Sequence, residues 1–154
     1  FKGLFEEARR QKPTCSMALN WCFNEPWPTA ANNSLVCWPA SPKPALTAVR
    51  DALRPVLVSA RIPRFDWRAS DDLCIELWVL NDSPDSVPGG RVQVFLNGAN
   101  LAGWEFVGAP PFENLAGPPL RLSLKDVEPG RFRLSLEVQG RPEMSSSYVL
   151  SLLD

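Results

Sequence analysis

Met17-Ala18-Leu19-Asn20-Trp21-Cys22-Phe23-Asn24-Glu25-Pro26-Trp27-Pro28 is an apolar run that stops abruptly at Asn24-Glu25-Pro26, between two tryptophans. Residues 14–23 are almost continuously apolar. That pattern predicts a strand buried on both faces of a parallel sheet, delivering aromatic and polar side chains to its C-terminal end. A carboxylate presented just after a strand invites a catalytic reading, so the role of Glu25 decides what chemistry the chain can carry out.

Upstream, residues 1–12 place Phe1, Leu4, Phe5 and Ala8 at helical spacing, with Glu6, Glu7, Arg9, Arg10 and Lys12 between them. This predicts an amphipathic helix whose cationic end complements its dipole and which Pro13 stops. Downstream, residues 25–44 are rich in proline and contain Asn32-Asn33, which predicts an irregular loop. Pro44, Ala45, Val49, Ala52 and Leu53 then predict a second helix, with Pro44 in its first turn and Pro55 closing it. A parallel strand needs neighbours on both edges, and no later segment supplies one with a crossover helix. The first part therefore reads as a truncated α/β piece.

From about residue 56 the pattern changes to alternation. Residues 56–62, 73–80, 91–96, 103–107, 120–124, 131–138 and 146–153 read as strands, with turns at residues 81–90 and at Asn97-Gly98. Seven short strands at that spacing predict an immunoglobulin-like antiparallel sandwich. The expected fold class is thus mainly β, with a short α/β remnant (residues 1–55) ahead of a β-sandwich (residues 56–154).

Composition removes several function classes. The chain has 154 residues, 45% of them hydrophobic, and a formal net charge of -1. No basic block is present to form a nucleic-acid footprint. No apolar run approaches the ~20 residues of a membrane-spanning helix. There is no histidine, which removes the commonest general base and any Ser-His-Asp triad, so self-contained hydrolysis would have to run on carboxylates. Cys15, Cys22, Cys37 and Cys74 form no C-x-x-C pair and read as small buried hydrophobes; no metal site and no cofactor is expected. With no initiator Met and Phe1 inside a predicted helix, the chain reads as a piece of something longer. The compartment stays open, with a periplasmic or secreted parent as the alternative carried.

The combination of residues 5–10, Pro13, Leu19-Asn20-Trp21-Cys22-Phe23-Asn24-Glu25-Pro26-Trp27-Pro28, Pro42-Lys43-Pro44-Ala45 and Arg54-Pro55-Val56 resembles the end of the (β/α)8 catalytic barrel of glycoside hydrolase family 2. The β-mannosidase and exo-β-glucosaminidase branches are the most similar, and β-galactosidase-like enzymes are also candidates. The resemblance implies a retaining exo-β-glycosidase parent with two catalytic glutamates. Both would lie upstream of Phe1, so this chain holds no catalytic residue and is expected to be inactive. Glu25 occupies the eighth-strand position, where a loop carboxylate bonded to backbone or a cation is the commoner outcome. By the same resemblance Trp21, Asn24 and Trp27 would bind the carbohydrate substrate in the parent. The exposed remnant would favour a homo-oligomer or packing on a partner.

The rival reading is a non-catalytic carbohydrate-binding or structural and interaction module. Trp67, Trp78 and Trp104 would form the glycan-binding face in the first version and pack into the core in the second. Asn32-Asn33-Ser34 and Asn81-Asp82-Ser83 fit the glycosylation sequon. Ser145-Ser146-Ser147 reads as a bend or strand start.

Overall fold

Phe132, Leu134, Leu136 and Val138 alternate with polar neighbours and are all buried. Their strand packs against a second sheet whose central strand turns Leu73, Ile75, Leu77 and Val79 inward. This period-two burial on two facing sheets is what makes the chain mainly β. The computed structural model describes residues 1–29 and 33–153. The chain divides into two compact units, Phe1–Arg54 and Pro55–Asp154.

In the first unit, α1 spans Lys2–Arg10, β1 Val36–Cys37, β2 Ser41–Pro42 and α2 Pro44–Ala52. Phe5 of α1, Leu35 beside β1, and Val49 and Ala52 of α2 form a small core. The Arg9 guanidinium donates to the Ala52 carbonyl at the end of α2, which ties the helices together. Pro44 opens α2 in the first-turn position where a missing N–H costs nothing.

The strand expected over residues 14–23 does not form. Those residues adopt no helix or strand. A strand exists through its ladder of inter-strand hydrogen bonds, and among the described residues the only bridge here is a single parallel one from Asn24 to Val36. The apolar run records an affinity for neighbours that no described residue supplies as a ladder.

The second unit contains β3 (Val56–Arg61), β4 (Asp66–Arg68), β5 (Asp72–Asn81), β6 (Val87–Leu96), β7 (Ala99–Ala109), β8 (Leu115–Ser123), β9 (Gly130–Val138) and β10 (Ser146–Leu153). One sheet has the order β4-β10-β9-β6-β7 and the other β3-β5-β8. The short β4 lies parallel to β10 and the other pairings are antiparallel. Two layers with a shared apolar core make an immunoglobulin-like β-sandwich.

Three local details fix this arrangement. Asn97 and Gly98 both have positive φ, 47° and 87°, as a two-residue hairpin turn between β6 and β7 requires. Residues 87–90, expected as turn, belong to β6. Pro88 is tolerated there because β9 pairs only from Val92 onward, so no ladder bond is lost on that side. Arg141 covers the exposed end by donating to the Pro88 and Gly89 carbonyls at 2.9 and 3.0 Å. The Tyr148 hydroxyl of β10 joins the two sheets: it accepts from the Ala60 amide at 3.0 Å and donates to Ser59 Oγ at 3.3 Å.

Candidate functional site

The polar centre of the first unit is Glu25, buried at the end of the apolar segment. Its main-chain N–H donates to the Val36 carbonyl at 3.0 Å, and the Phe23 carbonyl accepts from Leu35 and Val36. These bonds pin the segment's end against β1. The carboxylate then gathers three donors. Lys43 Nζ reaches Oε1 at 2.6 Å, Ser34 Oγ donates to Oε1 at 3.0 Å, and the Trp38 amide donates to Oε2 at 3.2 Å. Lys43 also donates to Ser34 Oγ at 2.7 Å, closing a triangle.

The Lys43 hydrogen bond, followed by that from Trp38, holds the Glu25 carboxyl below the usual carboxylate range. A carboxylate kept ionised and already accepting from three donors is neither a proton donor nor a free nucleophile. Its chemistry here is that of a lock joining residues 23–25 to the loop that ends at Lys43. Glycoside hydrolysis also needs a second carboxyl about 5–10 Å away. The other acidic residues of this unit, Glu6 and Glu7 on α1 and Asp51 on α2, are engaged with Lys2, Arg10 and Arg50. No group of three or more potential metal ligands occurs among the described residues.

Around this lock lies an unusual amount of exposed apolar surface. Met17 is 69% exposed, Leu19 84%, Trp21 81%, Phe23 63% and Trp27 63%. Asn24, the third residue with an expected sugar contact, is exposed beside Glu25, its side-chain amide 3.5 Å from the Glu25 carbonyl. Trp21, Asn24 and Trp27 thus all lie on one solvent-facing segment that Glu25 anchors. Sequence reasoning did not find Ser34, Lys43 or the Trp38 amide as partners of Glu25. Lys43 carries a signal, as the one cation of residues 25–44, whose one other charge is Glu25 itself.

The sandwich tryptophans form no open face. Trp67 is buried, donates from Nε1 to the Arg64 carbonyl at 3.0 Å, and is stacked by the Arg64 guanidinium at 4.2 Å. Trp104 is half-buried, 5.6 Å from Phe106 between centroids, with its ring against Gly117. Trp78 is half-buried on β5. Glycosylation at Asn81 is ruled out by its burial and by its side-chain amide, which donates to the Asp85 and Pro110 carbonyls at 2.9 and 2.7 Å. Asn32 lies outside the described residues. The cysteines are free; Cys15, Cys22 and Cys37 are half-buried, and Cys74 is exposed rather than buried as expected.

No protein-family model matches the sequence, and no curated protein matches it. Solved structures do. A crystal structure of the CARDB domain of the PF1109 protein from Pyrococcus furiosus, in complex with di-metal ions, aligns with a TM-score of 0.51 at 17% identity, covering 64% of this chain and 90% of that one. A solution structure of the same domain aligns with a TM-score of 0.53 at 18% identity, covering 64% and 94%. At such identity the likeness extends to the β-sandwich fold.

Proposed function

We propose that this chain is a non-catalytic structural and interaction module. The β-sandwich is its rigid body and the exposed apolar segment of residues 17–27 is its working surface. The observation that carries this reading is the contrast between the two aromatic sets. Trp67 and Trp104 are spent on packing, whereas Trp21, Phe23 and Trp27 stand in solvent on an anchored segment. Apolar patches of that size mark interaction sites on soluble proteins. The likeness to CARDB domains supports the sandwich as a carrier fold. The test is incubation with aryl β-glycosides and titration with oligosaccharides followed by tryptophan fluorescence. The expected outcome is no hydrolysis and no saturable change at millimolar ligand. Hydrolysis that Glu25→Gln abolishes would overturn it.

A second reading is favoured by the same exposed residues. A strand of a (β/α)8 barrel, deprived of both neighbours, would leave side chains such as Leu19 and Trp21 in water. In that reading residues 1–55 are the end of a retaining exo-β-glycosidase barrel of family 2, and Trp21, Asn24 and Trp27 contact a terminal β-linked sugar. Restoration of aryl β-glycoside hydrolysis when this chain is co-expressed with the upstream portion of such a barrel would support it; an inert mixture would count against it.

A further inference from the structure

We infer that the segment of residues 17–27 is a self-association surface, and that its occupant is the same segment of a second copy of this chain. The inference deepens the interaction-module reading and rests on it.

Three observations select that occupant. The first is area. Large aromatic side chains present about 150–250 Å² each. With Trp21, Phe23 and Trp27 exposed by 81%, 63% and 63%, and Met17 and Leu19 by 69% and 84%, these five residues together expose roughly 700–800 Å² per copy. That area matches the roughly 800 Å² per partner of a standard stable interface.

The second is charge. Between Pro13 and Thr29 the sequence carries a single ionisable charge, Glu25. That carboxylate is buried and paired with Lys43 at 2.6 Å. Two identical patches therefore meet without bringing like charges together, a self-complementarity that an isologous two-fold interface needs.

The third is the main chain. Among the described residues, the amides of residues 16–24 donate to no other backbone group. A second copy of the same segment, laid alongside in antiparallel sense, supplies carbonyl acceptors for them and sets the apolar side chains of the two copies beside one another as cross-strand neighbours. This is strand addition applied to an identical partner.

The test is sedimentation velocity on the full chain from about 1 to 200 µM, a range that brackets micromolar dissociation constants. The chain is kept under reducing conditions so that its free thiols form no intermolecular disulfide. The expected result is a monomer–dimer equilibrium with a micromolar dissociation constant. Leu19→Asp and Trp21→Asp, which place like charges face to face across the two-fold, are expected to raise that constant by about 100-fold or more. Both residues are exposed, so far-UV circular dichroism should remain that of the parent chain. Val107→Asp, at an exposed position on the sandwich, serves as control and should leave the dimer intact. A chain that stays monomeric at the highest concentration, or a dimer that survives both patch variants, overturns the second copy as occupant. The glycoside assays above judge the non-catalytic reading separately.

Discussion

Removing one oxygen from Tyr148 should cost the sandwich a measurable share of its stability. Tyr148 stands on β10 with its ring in the shared core and its hydroxyl against β3 in the opposite sheet. Tyr148→Phe keeps the ring and its packing but deprives the Ala60 amide of its acceptor at 3.0 Å and Ser59 Oγ of its donor at 3.3 Å. Both hydrogen bonds are buried. Loss of an acceptor for a buried backbone donor costs about 1–3 kcal/mol, partly offset by the phenylalanine ring's easier desolvation. A net loss of about 1.5 kcal/mol is expected. For a unit of this size that corresponds to a fall in Tm of roughly 6–12 °C. The assay is urea unfolding followed by far-UV circular dichroism in the β-strand band, to which the strands of Pro55–Asp154 contribute. The midpoint should fall with the slope m unchanged, since the surface exposed on unfolding stays the same. Ser59→Ala alone should cost less, because it leaves the Ala60 bond in place. The double variant should cost less than the two single losses added, because the hydroxyl pair is shared. A Tyr148→Phe variant within about 0.3 kcal/mol of the parent chain would refute the claim that this hydroxyl ties the sheets together, because that is the scatter expected of an uninvolved site.

Two further outcomes follow from named contacts. Glu25 is held below the ordinary carboxylate range by Lys43 and Trp38, so its contribution is present above the unfolded-state pKa and is lost as pH falls through the depressed folded value. Proteolytic cleavage within residues 23–43 should therefore rise on acidification below about pH 4; Glu25→Gln should show raised cleavage already at neutral pH and little further change on acidification, and equal resistance of the two proteins at pH 7 would count against the lock. At Gly117 an added Cβ would sit 2.7 Å from the Trp104 ring, so Gly117→Val should lower the thermal midpoint by an overpacking cost of about 1–3 kcal/mol and raise acrylamide quenching of Trp104, measured in a background where the other tryptophans are phenylalanine; an unchanged midpoint would show that the ring swings aside freely.

Much of the sandwich was legible because burial on one face writes a period of two into the sequence. Phe132, Leu134, Leu136 and Val138 carry it without interruption, and so do Leu73, Ile75, Leu77 and Val79. The strand over Asp66–Arg68 was hidden because three residues are too few to show a period, and because its pairing partner lies at the far end of the chain. The first half of β6 was hidden by Pro88, Gly89 and Gly90, which ordinarily mark a turn; only the three-dimensional fact that β9 stops short of them makes them strand. Residues 14–23 failed in the opposite direction. Their apolar character is plain in the sequence, but a strand is a property of a pair, and no partner among the described residues forms a ladder with them. In the candidate site the position of Glu25 at the end of the apolar run was evident, while its partners were not. Ser34, Trp38 and Lys43 lie 9, 13 and 18 residues away, beside and beyond the two-residue strands β1 and β2, which replace part of the irregular loop expected over residues 25–44 and are too short to show a period linking sequence distance to proximity.

The central claim is that residues 17–27 form an interaction surface that closes on itself. Hydrogen–deuterium exchange of the full chain at low and at high micromolar concentration tests it most directly. At low concentration the amides of residues 16–24 should exchange rapidly while those of β5, β6 and β9 remain protected. At high concentration the amides of residues 16–24 should slow by about tenfold or more, with the sandwich unchanged. Exchange in residues 16–24 that is equally fast at both concentrations, or already slow in the dilute monomer, would contradict the account.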